Sequence, residues 1–182
     1  MSTQLGNGTV IYPDGSIQHT SPIQQKSVTP IPIGGNTMYG ITSIPPYTTK
    51  VTITFWNVTT NGTSPIIIRI SESNYPYTSG YSSMGSTNWI SMTTSAGLLT
   101  MQATNTGLSN DGVYTLAYMG GGISGWSDWD FSGTMGQYPS FVGTGQGAMS
   151  IYGPLGSIWV TTLNGTDQFL GGSYVNFTFE GS

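Results

Sequence analysis

Ser173-Tyr174-Val175-Asn176-Phe177-Thr178-Phe179-Glu180 decides the fold class. Successive side chains of an extended chain point to opposite faces, so Val175, Phe177 and Phe179 stand on one side and Tyr174, Asn176, Thr178 and Glu180 on the other. One apolar and one polar face mark a half-buried antiparallel strand. The same period recurs in Val51-Thr52-Ile53-Thr54-Phe55-Trp56-Asn57-Val58. It returns in Ile66-Ile67-Ile68-Arg69-Ile70, where Ile67 adds an apolar residue on the second face and predicts the more buried strand of the two. Asn61-Gly62, a strong turn signal between these runs, predicts that they form a hairpin. Further strands are expected at 88–92, 98–103, 113–119, 148–152 and 157–163, separated by Gly-rich or Asn-rich turns. No stretch holds an i, i+3, i+4, i+7 apolar set free of Gly, Pro and β-branched runs, so no long helix is expected. The reading is an all-β chain whose residues 49–182 form an antiparallel β-sandwich of jelly-roll-like type.

Residues 1–48 differ in kind. They hold six of the ten prolines (Pro13, Pro22, Pro30, Pro32, Pro45 and Pro46) and only short apolar alternations. Proline removes ladder donors and fixes φ, so an extended arm with one short hairpin is expected. Its turn falls at Pro13-Asp14-Gly15-Ser16: Pro suits the first corner, Asp bonds its own backbone and Gly takes positive φ. Residues 10–12 and 17–19 are its two strands.

Composition sets limits on function. The 182 residues include three cations, seven acids, a single histidine and no cysteine, and charged residues make up 5%. Soluble domains usually carry about 25%. Lys26, Lys50 and Arg69 give no basic footprint for phosphates or an anionic lipid surface, so neither nucleic acid nor membrane is an expected partner. No apolar run is long enough for a transmembrane helix, and Met-Ser-Thr-Gln-Leu lacks the basic start and apolar core of a signal peptide. Cysteine nucleophiles and Cys/His zinc sites are excluded outright. His19 has no acid near it in sequence and no Gly-x-Ser-x-Gly elbow to serve, so it reads as a surface residue rather than a base. A non-enzymatic protein without cofactor or metal is expected.

One segment concentrates functional side chains. Gly125-Trp126-Ser127-Asp128-Trp129-Asp130-Phe131 is the only acid cluster, and it is also rich in rings. Asp128, Asp130 and Ser127 offer oxygens to calcium, but the Gly and bidentate Glu of an EF-hand are missing. Two carboxylates also suit glycoside cleavage, at separations a sequence does not give. With Tyr138 and Phe141, and with glycines around them, these residues read as an aromatic loop over 120–141. Such a loop either presents rings and acids to a sugar, with Trp126, Asp128, Trp129, Asp130 and Tyr138 in contact, or pins itself to the sandwich or a subunit interface. Tyr75, Tyr77 and Tyr81 admit the same two readings.

Two stretches carry a resemblance. Gly8-Thr9-Val10-Ile11-Tyr12-Pro13-Asp14-Gly15-Ser16-Ile17-Gln18-His19-Thr20 resembles a hairpin common in the tail and fibre proteins of tailed bacteriophages. Lys50-Val51-Thr52-Ile53, Thr60-Asn61-Gly62-Thr63-Ser64-Pro65, Ser79-Gly80-Tyr81 and the stretch from Asn164-Gly165-Thr166-Asp167-Gln168-Phe169 to Glu180 are similar to the C-terminal β-domain of such fibres. The resemblance implies a homotrimeric virion protein, assembled in the host cytoplasm. Its arm would dock on other virion proteins and its sandwich would face outward toward host glycans. The alternatives are a capsid or tail decoration protein that reinforces the particle and, further off, an enzyme acting on surface polysaccharide.

Overall fold

A computed structural model describes residues 4–6, 9–11, 17–19, 26–27, 30–87, 90–101, 106–121, 125–137 and 141–181. In chain order the strands are β1 (Gln4–Gly6), β2 (Thr9–Ile11), β3 (Ile17–His19), β4 (Lys26–Ser27), β5 (Ile31–Pro32), β6 (Met38–Ile41), β7 (Thr48–Val58), β8 (Ile66–Ser71), β9 (Ser82–Thr87), β10 (Ile90–Thr94), β11 (Leu98–Leu99), β12 (Asn110–Gly120), β13 (Trp126–Gln137), β14 (Phe141–Tyr152), β15 (Ser157–Thr162) and β16 (Tyr174–Gly181). Among the described residues there is no helix. One sheet of nine strands runs β10-β9-β14-β13-β12-β7-β16-β4, with β5 also on β16, and one of four runs β11-β8-β15-β6. All pairings are antiparallel, and the two sheets face each other as a β-sandwich.

The core follows from alternation. Val51, Ile53 and Phe55 of β7 and Val175, Phe177 and Phe179 of β16 are buried, as are Ile66, Ile68 and Ile70 of β8 and Ile158 and Val160 of β15. A spine of rings crosses the large sheet: Tyr114 stacks on Phe131 at 4.9 Å between centroids and meets Phe55 edge-on at 6.0 Å. Burial pushes the Tyr114 hydroxyl above its ordinary pKa, and it donates to the carbonyl of Thr100. Asn110, wholly buried, donates to the carbonyls of Val58 (2.8 Å) and Leu108 (3.0 Å) and accepts from Gln137 Nε2 (3.1 Å). No polar atom of that side chain lacks a partner, as burial requires.

The expected hairpin of 51–58 with 66–70 is wrong. β7 pairs with β12 and β16, whereas β8 pairs with β15 and β11 in the other sheet. Residues 59–65 therefore cross between sheets, tied to the β15–β16 connection by Asn61 N to Gln168 O (3.0 Å), Gln168 N to Asn61 Oδ1 (2.8 Å) and Ser64 N to Asp167 Oδ2 (3.0 Å). Gly62 is needed there because a Cβ would lie 2.1 Å from the Asp167 carboxylate. The glycine marks a close approach rather than a hairpin turn.

The short hairpin of the first residues forms as a ladder, with Ile11 opposite Ile17 and Thr9 opposite His19. Pro13, Asp14 and Gly15, expected at its turn, lie outside the described residues. Between positions 26 and 48 the chain adds β4 and β5 to β16 and β6 to β15, and Ile33 and Ile44 enter the core.

Candidate functional site

The aromatic segment is a strand, not a loop. β13 runs through the middle of the large sheet, paired along its whole length with β14 and nearly so with β12. Glycine in this stretch reads as loop in the sequence, but Gly133 serves packing: a Cβ there would lie 2.5 Å from the Tyr114 ring. Period two then divides the proposed contact residues. Trp129 and Phe131 are each 2% exposed and face the core, whereas Asp128 and Asp130 lie on the solvent face. Asp128 accepts a hydrogen bond from Ser150, its register partner on β14. Trp126, at the first position of the strand, meets Tyr152 edge-on at 5.7 Å. Tyr138 lies outside the described residues. The five therefore do not form one surface.

Two places gather what the segment supplies. On the solvent face of the large sheet, an open basin of about 1010 Å³ is lined by Ser82 and Met84 of β9, Thr93 of β10, Asp130 and Ser132 of β13 and Gln146 of β14. The register places these side by side: Asp130 opposite Ala148, Ser132 opposite Gln146, and Gln146 opposite Met84. Asp130 is the one charged side chain among them.

The second place is a mouth at the end of the sandwich where β7 and β13 begin and β12 and β14 end. A cavity of about 400 Å³ opens there, lined by Tyr47, Thr48, Tyr118, Trp126, Trp129 and Leu155 among others. Tyr118 lies 5.6 Å from Trp129, ring to ring, and no lining residue is charged. Two polar atoms of its lining residues, Thr48 Oγ1 and Trp129 Nε1, are buried without a partner in the protein.

The tyrosines at 75–81 separate in the same manner. Tyr81 is core, its hydroxyl accepting from Ile70 N (2.8 Å) and donating toward the carbonyls of Ile70 and Tyr77, and burial raises its pKa. Tyr77 donates to Glu72 Oε1 (2.8 Å), a bond that raises its own pKa. Tyr75 stays 81% exposed. Among the described residues no three His, Cys, Asp or Glu side chains are grouped as a metal site. Sequence reasoning missed Thr48, Tyr118, Ser132 and Gln146, which come together only through sheet register. Comparison of the chain with protein-family models, curated proteins and solved structures finds no match.

Proposed function

We propose that this chain is a non-enzymatic structural protein of a bacteriophage virion. In this reading it is a homotrimeric tail or head fibre or adhesin that docks through its N-terminal residues and turns its sandwich toward host-surface glycans. The observation that supports contact with glycans best is the basin over β9, β10, β13 and β14. It offers hydroxyls, an amide, one carboxylate and the apolar Met84, a set that suits a neutral hydroxylated polymer better than a charged one. Rigid strands rather than loops carry these groups, so little order has to be gained on contact.

Labelled full-length chain added to a panel of bacteria is expected to decorate susceptible cells, and soluble surface polysaccharide from those cells is expected to compete it off. Asp130→Ala combined with Gln146→Ala should weaken the labelling, and absence of labelling on every cell type would contradict the reading. Light scattering should return three times the chain mass.

A second reading, a decoration protein, draws on one feature. Val113 and Val142, 49% and 61% exposed, sit on the same solvent face and offer apolar contact to a particle subunit. Copy number separates the two: quantitative mass spectrometry of particles would find one copy per lattice position for a decoration protein and a few copies per symmetry axis for a fibre.

A further inference from the structure

We infer that the mouth at the start of β13 is a binding site for one pyranose ring of a neutral glycan, with Trp129 Nε1 and Thr48 Oγ1 as its buried hydrogen-bonding groups. This rests on the glycan-contact reading above and gives it a site distinct from the basin. Four observations on the mouth converge.

The first is the pair of orphaned polar atoms. Trp129 is 2% and Thr48 8% exposed, and neither Nε1 nor Oγ1 has a partner within the protein. Buried polar groups are almost always satisfied, because leaving one unpaired costs the desolvation of that group. Both atoms belong to residues lining one cavity but lie beneath its surface rather than on it, so an incoming polar ligand pairs with them only as the lining side chains shift. An indole N–H only donates, while a hydroxyl both donates and accepts, so the complementary ligand must present an acceptor and a group that does both. Sugar hydroxyls meet both demands.

The second is the set of rings. Tyr47, Tyr118 and Trp126 are 40%, 40% and 43% exposed, half in and half out of the rim. An amphipathic ring in that position presents an apolar face to a ligand while its polar tip stays wet. The C–H face of a pyranose fits such a face. Leu155, 3% exposed, closes the inner wall with a further apolar group.

The third is charge. No lining residue is an acid, a lysine, an arginine or a histidine, which argues against a phosphorylated, sulfated or sialylated ligand. The fourth is size: about 400 Å³ falls within the 300–1,000 Å³ or so of small-ligand sites, toward the small end. A single ring of a longer chain fits that volume better than an oligomer.

The test uses the full chain and the methyl glycosides of glucose, galactose, mannose and N-acetylglucosamine as probes. Titration calorimetry and saturation-transfer NMR report binding, and the indole N–H resonance that disappears in Trp129→Phe identifies Trp129. At least one glycoside is expected to bind at millimolar concentration and to shift that resonance. Trp129→Phe keeps an aromatic ring but removes the donor together with the second ring of the indole, and Thr48→Val keeps the shape but removes the hydroxyl. Each is expected to weaken binding by roughly tenfold, the loss of one hydrogen bond. Thr48→Val should not lower the melting temperature, since it removes an unsatisfied buried hydroxyl at nearly constant shape, and a purely structural role would lower it. Trp129→Phe also leaves a cavity in the core and is expected to lower it in any case. Should Trp129→Phe fail to fold, Thr48→Val and the indole shift in the unaltered chain still decide. The inference is overturned if no glycoside binds or moves the indole resonance, or if both variants bind as the parent does. If the variants also decorate cells like the parent, the mouth fails while the adhesin reading stands. If nothing decorates cells, the adhesin reading fails as well.

Discussion

Gly145 joins the two layers of the sandwich by having no side chain. A Cβ there would lie 1.9 Å from the carbonyl oxygen of Leu99, so β14 and β11 approach each other across the sheets at backbone distance. Backbone yields less readily than a flexible side chain, and Gly145→Ala is expected to destabilise the fold by at least about 1–3 kcal/mol. A urea midpoint measured with an unchanged m value reads that loss; an unaltered midpoint would contradict the close approach. Asn110 works oppositely, through what its side chain fills. Asn110→Leu removes the acceptor of the Gln137 Nε2 bond and the side-chain donor to the buried Val58 carbonyl, at a cost of about 1–3 kcal/mol. Asn57 is the one described non-glycine residue in left-handed backbone, φ 51°, a conformation asparagine tolerates better than most. Its N–H donates to Asp111 Oδ1 at 2.6 Å, and its Nδ2 donates to Gly172 O at 3.1 Å, which holds it there.

Among the elements, β13 governs how the site reads. Its alternation makes a sharp contrast within two neighbours. Phe131→Ala, on the core face, should cost about 3–5 kcal/mol. Ser132→Ala, on the solvent face, should stay within about 0.5 kcal/mol by the same denaturation. Strands with clean alternation were legible directly: β7 and β16 declare their buried faces, and Ile67 correctly announced that β8 is buried on both. β13 was not, because Gly133 and Gly136 and the adjacent acids break the apolar rhythm, and a central strand that packs through glycine carries little hydrophobic signal of its own. Sheet membership was illegible for a different reason. A turn signal such as Asn61-Gly62 describes a local approach of backbone, whereas the partner of β7 is settled by contacts more than fifty residues away. The candidate site suffered most: Trp126, Asp128, Trp129 and Asp130 are neighbours in sequence, yet period two sends them to two faces, and Thr48 and Tyr118 reach Trp129 only through the register of three strands.

For the whole molecule, the shortage of charge has measurable consequences. Among the described residues the single ion pair joins Lys50 to Glu180 at 3.0 Å, with side chains 44% and 31% exposed, and such a pair contributes less than about 1 kcal/mol. Raising salt from low to molar concentration should therefore change the unfolding free energy by no more than that once screening alone is considered. Alkali acts differently. Burial raises the hydroxyl pKa of Tyr81 and Tyr114 above the ordinary value near 10, so the unfolded chain gives up these protons first. The stability they confer is fully present below about pH 10 and is lost as pH climbs past it, which urea midpoints across that range will show. The account stands or falls on the placement of residues 126–137 inside the large sheet, which fixes core, basin and mouth together. Hydrogen exchange of the intact chain, resolved to single amides, tests it most directly. The amides of β13 are predicted to exchange as slowly as those of β7 and β12. Rapid exchange across 126–137 beside protected neighbours would mean a loop there and contradict it.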